Sequence, residues 1–168
     1  MSLASRPLYR ARQFFEALRP RIDGDLYAEA TALLGPELTP LFDSMAPRDR
    51  VHCLEVYRRL AESGCDNPDT LVAALLHDCG KGALSGATVR LWHRVAYVLL
   101  AAAAPPLLDR AARGRGGLAA IHRHAETGAR LAQEMGAPER VVHMIAEHER
   151  REHDDASQQM LRAADDES

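Results

Sequence analysis

The residues of this chain best suited to chemistry stand side by side in Leu75-Leu76-His77-Asp78-Cys79-Gly80-Lys81-Gly82. A neutral imidazole offers one nitrogen lone pair, and a carboxylate has two oxygens that can bridge two ions. Adjacent His77 and Asp78 can therefore share one metal centre if other ligands converge on it. The same stretch also reads as a helix C-terminus, with Gly80 as the stop and Lys81 near the negative end of the dipole. Other ligand-type residues are His52 in Val51-His52-Cys53-Leu54, His124 in His124-Ala125-Glu126-Thr127-Gly128, His148 in Glu147-His148-Glu149, and Asp165 after Ala164. None of them is decisive singly.

The elements that must position these residues all read as helices. Apolar residues recur at helical spacing, and no stretch sustains the alternation of a half-buried strand. Helices are expected over about 8–18, 25–34, 37–45 and 48–63, punctuated by Pro20, Gly35-Pro36, Pro47 and Gly64. Asp66-Asn67-Pro68-Asp69 is an N-terminal signal for the helix that delivers His77 and Asp78. Beyond the glycine-rich break, helices are expected over about 89–103, 107–112, 123–135, 138–149 and 157–165, with Gly114 to Gly117 a flexible basic linker. The long apolar segment 86–112, with Trp92, Tyr97 and Pro105-Pro106, reads either as a lid or wall over a pocket or as a plain core helix. The expectation is all-α: one structural domain, a helical bundle in which N-terminal helices (1–46) pack on a core built from 47–168.

Bulk properties exclude several classes. A chain of 168 residues suits one domain with a real core. A formal net charge of −3 gives no electrostatic footprint for nucleic acid. Cys53, Cys65 and Cys79 are an odd count without paired spacing, which points to free thiols in a reducing, cytoplasmic compartment. Met1 to Pro7 lacks the apolar core of a signal peptide. The longest apolar run, Val95 to Leu108, is broken by Pro105-Pro106 and falls short of the roughly 20 residues that span a bilayer. No transmembrane segment is expected. Twenty arginines accompany a single lysine, Lys81, beside the His-Asp pair. A compact ammonium suits a tight pocket against phosphate or carboxylate.

In order, His52, His77-Asp78 with Gly80-Lys81, His124 with Gly128, His148 and Asp165 resemble the HD-domain metal-dependent phosphohydrolase superfamily. The match runs from about Arg48 to Asp165 and is most specific at Leu76 to Lys81, at His52 and at His124 to Ala129. The resemblance implies a bundle of the HD-domain type and a metal site of His52, His77, Asp78 and Asp165. It implies two further ligands, His124 and His148, where two ions are bound, with Asp78 as the bridge. Lys81 is then expected to face the scissile phosphate. HD-GYP cyclic-dinucleotide phosphodiesterases carry a His-His pair where this chain has Glu147-His148, and a Gly-Tyr-Pro element that is absent here, which argues against that substrate.

Four histidines and two aspartates suit one or two ions of Fe, Mn, Co, Ni or Zn better than Mg or Ca. The chemistry expected is in-line attack of a metal-bound hydroxide on a phosphate ester, with Asp78 and Lys81 as the catalytic side chains. The substrate is expected to be a small phosphorylated molecule, nucleotide-like, with Arg90, Arg94, Arg113, Arg115 and Arg123 as candidate phosphate contacts. Two rivals stay open: a di-iron oxygenase of the HD type, and a non-catalytic helical module binding metal or nucleotide. Oligomeric state is open, a homo-oligomer included. His93, His122, His143 and His153 lack motif context, with His143 the substitute for His148. Glu55 is either a partner of His52 or solvent-facing, and Asp166 competes with Asp165.

Overall fold

A computed structural model of the chain describes residues 21–86, 88–114, 116–150 and 155–168. The helix expected over 8–18, together with Arg115 and His153, lies outside them. All regular structure among the described residues is helical. The first helix, α1 (Gly24–Asp43), is capped by Asp23, whose carboxylate accepts from the amides of Asp25 and Leu26. It bends at Gly35, where φ is +69° and Pro36 follows, as the expected break between two helices requires. Then come α2 (Pro47–Glu62), α3 (Pro68–Leu76), two 3-10 turns (Cys79–Lys81 and Ala83–Ser85), α4 (Leu91–Ala103) and α5 (Pro105–Ala112). The chain continues with α6 (Gly117–His122), α7 (His124–Glu134), α8 (Glu139–Glu147) and α9 (Ala156–Asp166).

The core is organised around α3. Its N-cap Asn67 accepts from the Thr70 amide and Pro68 opens the helix, so a helix of only nine residues is well started. Thr70 and Val72 to Leu76 are all buried, because α1, α2, α8 and α9 pack around it. Leu41, Phe42, Leu60, Leu75, Leu76, Met144, Ile145 and Leu161 fill the same cluster. An apolar helix enclosed on every side needs no polar face until it ends, and His77 is where it ends.

The three helices α4, α5 and α6 pack on one another, and their buried residues Leu108, Ala112, Ala119 and Ile121 stand outside the main cluster. The core-helix reading is corrected for α4, which buries no residue, whereas α5 of the same segment 86–112 buries Leu108 and Ala112. Its less exposed side carries His93, Arg94 and Tyr97, and its apolar side faces outward. The short α6 had no counterpart among the expected helices, since its start was read as linker. Glycine is needed at 117 because the His93 ring packs where a side chain would stand.

Candidate metal centre

The distance between the two halves of the site is set by a crossing of glycines. After α3, His77 keeps helical angles, Asp78 turns at φ −95°, ψ 3°, and the chain tightens into the Cys79–Lys81 turn. Gly80 of that turn lies directly on α7: a Cβ there would overlap the His124 carbonyl and come within 2.8 Å of the Gly128 amide nitrogen. A Cβ on Gly128 would in turn sit 3.0 Å from Cys79 Sγ and 3.1 Å from the Gly80 amide nitrogen. Backbone therefore meets backbone, and Asp78 is brought to α7 at the position of His124. On the other side, α9 packs along α2 and carries Asp165 to His52.

All six ligand-type residues meet. Asp165 Oδ1 lies 2.9 Å from His52 Nε2 and 3.5 Å from His77 Nε2. Asp78 Oδ1 lies 3.8 Å from His77 Nε2 and 3.3 Å from His124 Nε2. His124 Nε2 and His148 Nε2 are 3.1 Å apart. Two groups, each compact enough to hold one ion, result: His52, His77 and Asp78, and Asp78, His124 and His148. Asp78 is common to both. His77, Asp78, His124 and His148 are buried, whereas His52 and Asp165 are partly open to solvent.

Three of the imidazoles are oriented by the same local device. His77, His124 and His148 each donate from Nδ1 to the carbonyl three residues earlier, on Ala74 at 2.9 Å, Ile121 at 2.6 Å and Ile145 at 2.7 Å. With Nδ1 committed to the backbone, each ring turns its Nε2 into the site as the atom free to meet an ion. His77 Nε2 is buried with no hydrogen-bond partner, and an orphaned buried acceptor of this kind fits a cation.

Charge points the same way. Burial pushes the Asp78 carboxyl up, but His77, Lys81 and His124 outweigh it and hold the group well below the usual carboxylate range. Asp165 is likewise held far down, as His52 and His77 overcome its burial. Burial opposes charge on His77, yet Cys53, Asp78 and Asp165 raise its pKa well above the ordinary value. A site that draws a proton to that nitrogen draws a metal ion for the same reason. His148 is lowered to about 3 by burial first, then by His77 and His124, so it stays neutral and able to ligate.

Lys81 donates from Nζ to Asp78 Oδ1 at 2.6 Å, on the shared carboxylate itself. Asp166 turns away to Arg162, His143 is exposed, and His122 reaches Tyr97. Glu55 pairs with Arg58 and Arg59 rather than with His52. Of the arginines offered for phosphate, Arg94 is taken: one of its nitrogens donates to both oxygens of the buried Asp49, at 2.7 and 2.6 Å. Two neighbours had not been singled out. Cys53 Sγ lies 3.8 Å from His77 Nδ1, and Glu149 Oε1 lies 3.8 Å from His124 Nε2. Both directly follow a ligand-type histidine in sequence, the one signal that marks them. A cavity of about 600 Å³ adjoins the turn, lined among others by Gly80, Arg90, Trp92, Arg123 and Thr127. None of the six converging residues lines it. It shares with the polar cluster only the Gly80 turn and the start of α7.

The family model for the HD domain matches residues 50–168. This chain belongs to the HD domain family, whose members bind divalent metals and are generally hydrolases. Comparison with curated proteins found no match, and comparison with solved structures found none. No helix among the described residues is long and apolar enough to cross a membrane.

Proposed function

We propose that this chain is a metal-dependent phosphohydrolase cleaving a phosphate ester of nucleotide type in a reducing, cytoplasmic setting. The observation that carries the reading is Asp78, one buried carboxylate common to two ligand groups, with the only lysine of the chain on the same oxygen. His52, His77 and Asp78 would hold one divalent transition-metal ion (Fe, Mn, Co, Ni or Zn), with Asp165 beside His52 and His77 as a further ligand, and His124 and His148 would hold a second, with Asp78 shared. When bound, such ions supply Lewis acidity toward a phosphoryl oxygen and lower the pKa of water.

The chain's own residues do the rest. The carbonyls of Ala74, Ile121 and Ile145 hold the three rings in one tautomer, so no reorganisation is needed as charge develops. Lys81 keeps an ammonium beside Asp78, where it can neutralise an equatorial phosphoryl oxygen. Arg90, Arg123 and the Trp92 indole line the adjoining cavity, a combination that suits phosphate and a stacked base.

The test is metal content of the purified protein together with a screen of phosphomonoesters, phosphodiesters and nucleotides in Mn, Co and Ni. Hydrolysis is expected with at least one metal and is expected to vanish in Asp78→Ala while helicity is retained. Undiminished hydrolysis in Asp78→Ala would overturn the mechanism. Silence across all metals and substrates would leave a non-catalytic module.

A further inference from the structure

α4 is amphipathic in the wrong sense for a monomer. Leu91 is 64% exposed, Trp92 58%, Val95 52%, Val98 65% and Leu99 63%, and Leu107 of the following helix is 59% exposed. Ala101, Ala102 and Ala103 are exposed on the same helix. An ordinary surface helix turns such residues to its own core. At these exposures the six large side chains leave roughly 700 Å² of apolar surface in water, more than the ~300–600 Å² that is the largest patch on a typical monomer.

From this face we infer that the chain forms a symmetric homodimer in which α4 of one copy packs antiparallel on α4 of the other. Leu91, Val95, Val98 and Ala102 follow one another at spacings of four, three and four, the seam that lets two helices interdigitate. The exposed area is close to the roughly 800 Å² per partner that a stable interface buries. No charged residue occurs between Arg94 and Asp109, so burying the seam desolvates no ion. An antiparallel arrangement also sets the exposed Arg90 at the start of each α4 beside the partner helix's C-terminus, which carries no basic residue of its own. A second copy suits this face better than an anionic bilayer. From Val95 to Leu108 the seam offers lipid headgroups no cation, with the exposed basic Arg90 at its edge, and the chain as a whole is negative.

Sedimentation velocity of the full chain at roughly 1–100 μM should show a species of twice the 18.5 kDa protomer mass. Val98→Glu places a carboxylate in the seam and Leu99→Glu one beside it on the same apolar face, and each should weaken association at least about 100-fold, with circular dichroism and metal content unchanged. Should either carboxylate variant lose helicity, Val98→Asn replaces it, with the same direction expected. Three results would overturn the inference. One is a wild-type chain that stays monomeric at the highest concentration. Another is a folded variant that dimerises as tightly as wild type. The third is a monomeric chain that pellets with phosphatidylcholine–phosphatidylglycerol vesicles, which would assign the face to lipid.

Discussion

His124 Nε2 and His148 Nε2 face each other across 3.1 Å while both Nδ1 atoms are committed to backbone carbonyls. Both Nε2 atoms therefore converge on one point beside Asp78, where a shared cation would hold the two rings together. Replacing His148 with Ala should lower the metal content by about one ion per chain, leaving the group of His52, His77 and Asp78 loaded. Elemental analysis of wild type and variant, purified side by side, reads this directly. Equal metal content in the two would show that His148 is not a ligand.

The Gly80–Gly128 crossing predicts a stability effect away from any ligand atom. Gly80→Ala drives a methyl group into the His124 carbonyl, where backbone rather than a flexible side chain must yield. The expected cost is about 3 kcal/mol, the upper end for overpacking, or a fall in Tm of roughly 6–12 °C for a chain of this size. Gly64→Ala is a useful contrast: nothing lies within 4 Å of its Cβ, but its φ of +86° strains any side chain. If Gly80→Ala melts like wild type, the close approach is not what spaces the two halves of the site.

Local signals were legible in the sequence, and long-range ones were not. The Asn67 cap, Pro68 start and apolar α3 lie within ten residues of His77, so the helix that delivers the His-Asp pair could be read directly. The resemblance favours Asp165 over Asp166, and in the structure Asp165 lies beside His52 while Asp166 pairs with Arg162. By contrast, the pairing of Gly80 with Gly128, the Asp49–Arg94 contact and the approach of Cys53 to His77 join residues far apart in the chain. No periodicity encodes them. The outward apolar face of α4 was hidden for a related reason: composition shows how apolar a helix is, but not which side is covered.

Arg94 and Asp49 tie α4 to the first turn of α2, one helical turn before His52. The carboxylate is buried, so removing its partner leaves a charge with little access to water. Arg94→Ala should cost about 2–3 kcal/mol, less than a fully buried pair because the guanidinium keeps some solvent contact. The double variant Arg94→Ala with Asp49→Ala should recover at least half of that, since no orphaned charge remains. Urea titrations of the four proteins give the coupling, and strict additivity would contradict the arrangement.

The histidines predict an optimum in the pH dependence of stability of the metal-free chain. His148 has a folded pKa lowered to about 3 by burial, so its contribution is complete above the unfolded value of about 6.5 and is lost as pH falls toward 3. His77 has the opposite sign. Its folded pKa is raised by Cys53, Asp78 and Asp165 against burial, so its contribution is complete below about 6.5 and is lost as pH rises through the folded value. Stability without metal should therefore peak near about pH 6.5 and decline on both sides. His148→Gln should flatten the acid limb, and His77→Gln the alkaline one. Added metal should restore stability on the alkaline side, where it replaces the proton that His77 gives up. Thermal melts in EDTA from pH 4.5 to 9, repeated with Mn or Zn, separate the two limbs. A single monotonic dependence in EDTA would show that the two imidazoles are not held in opposite states.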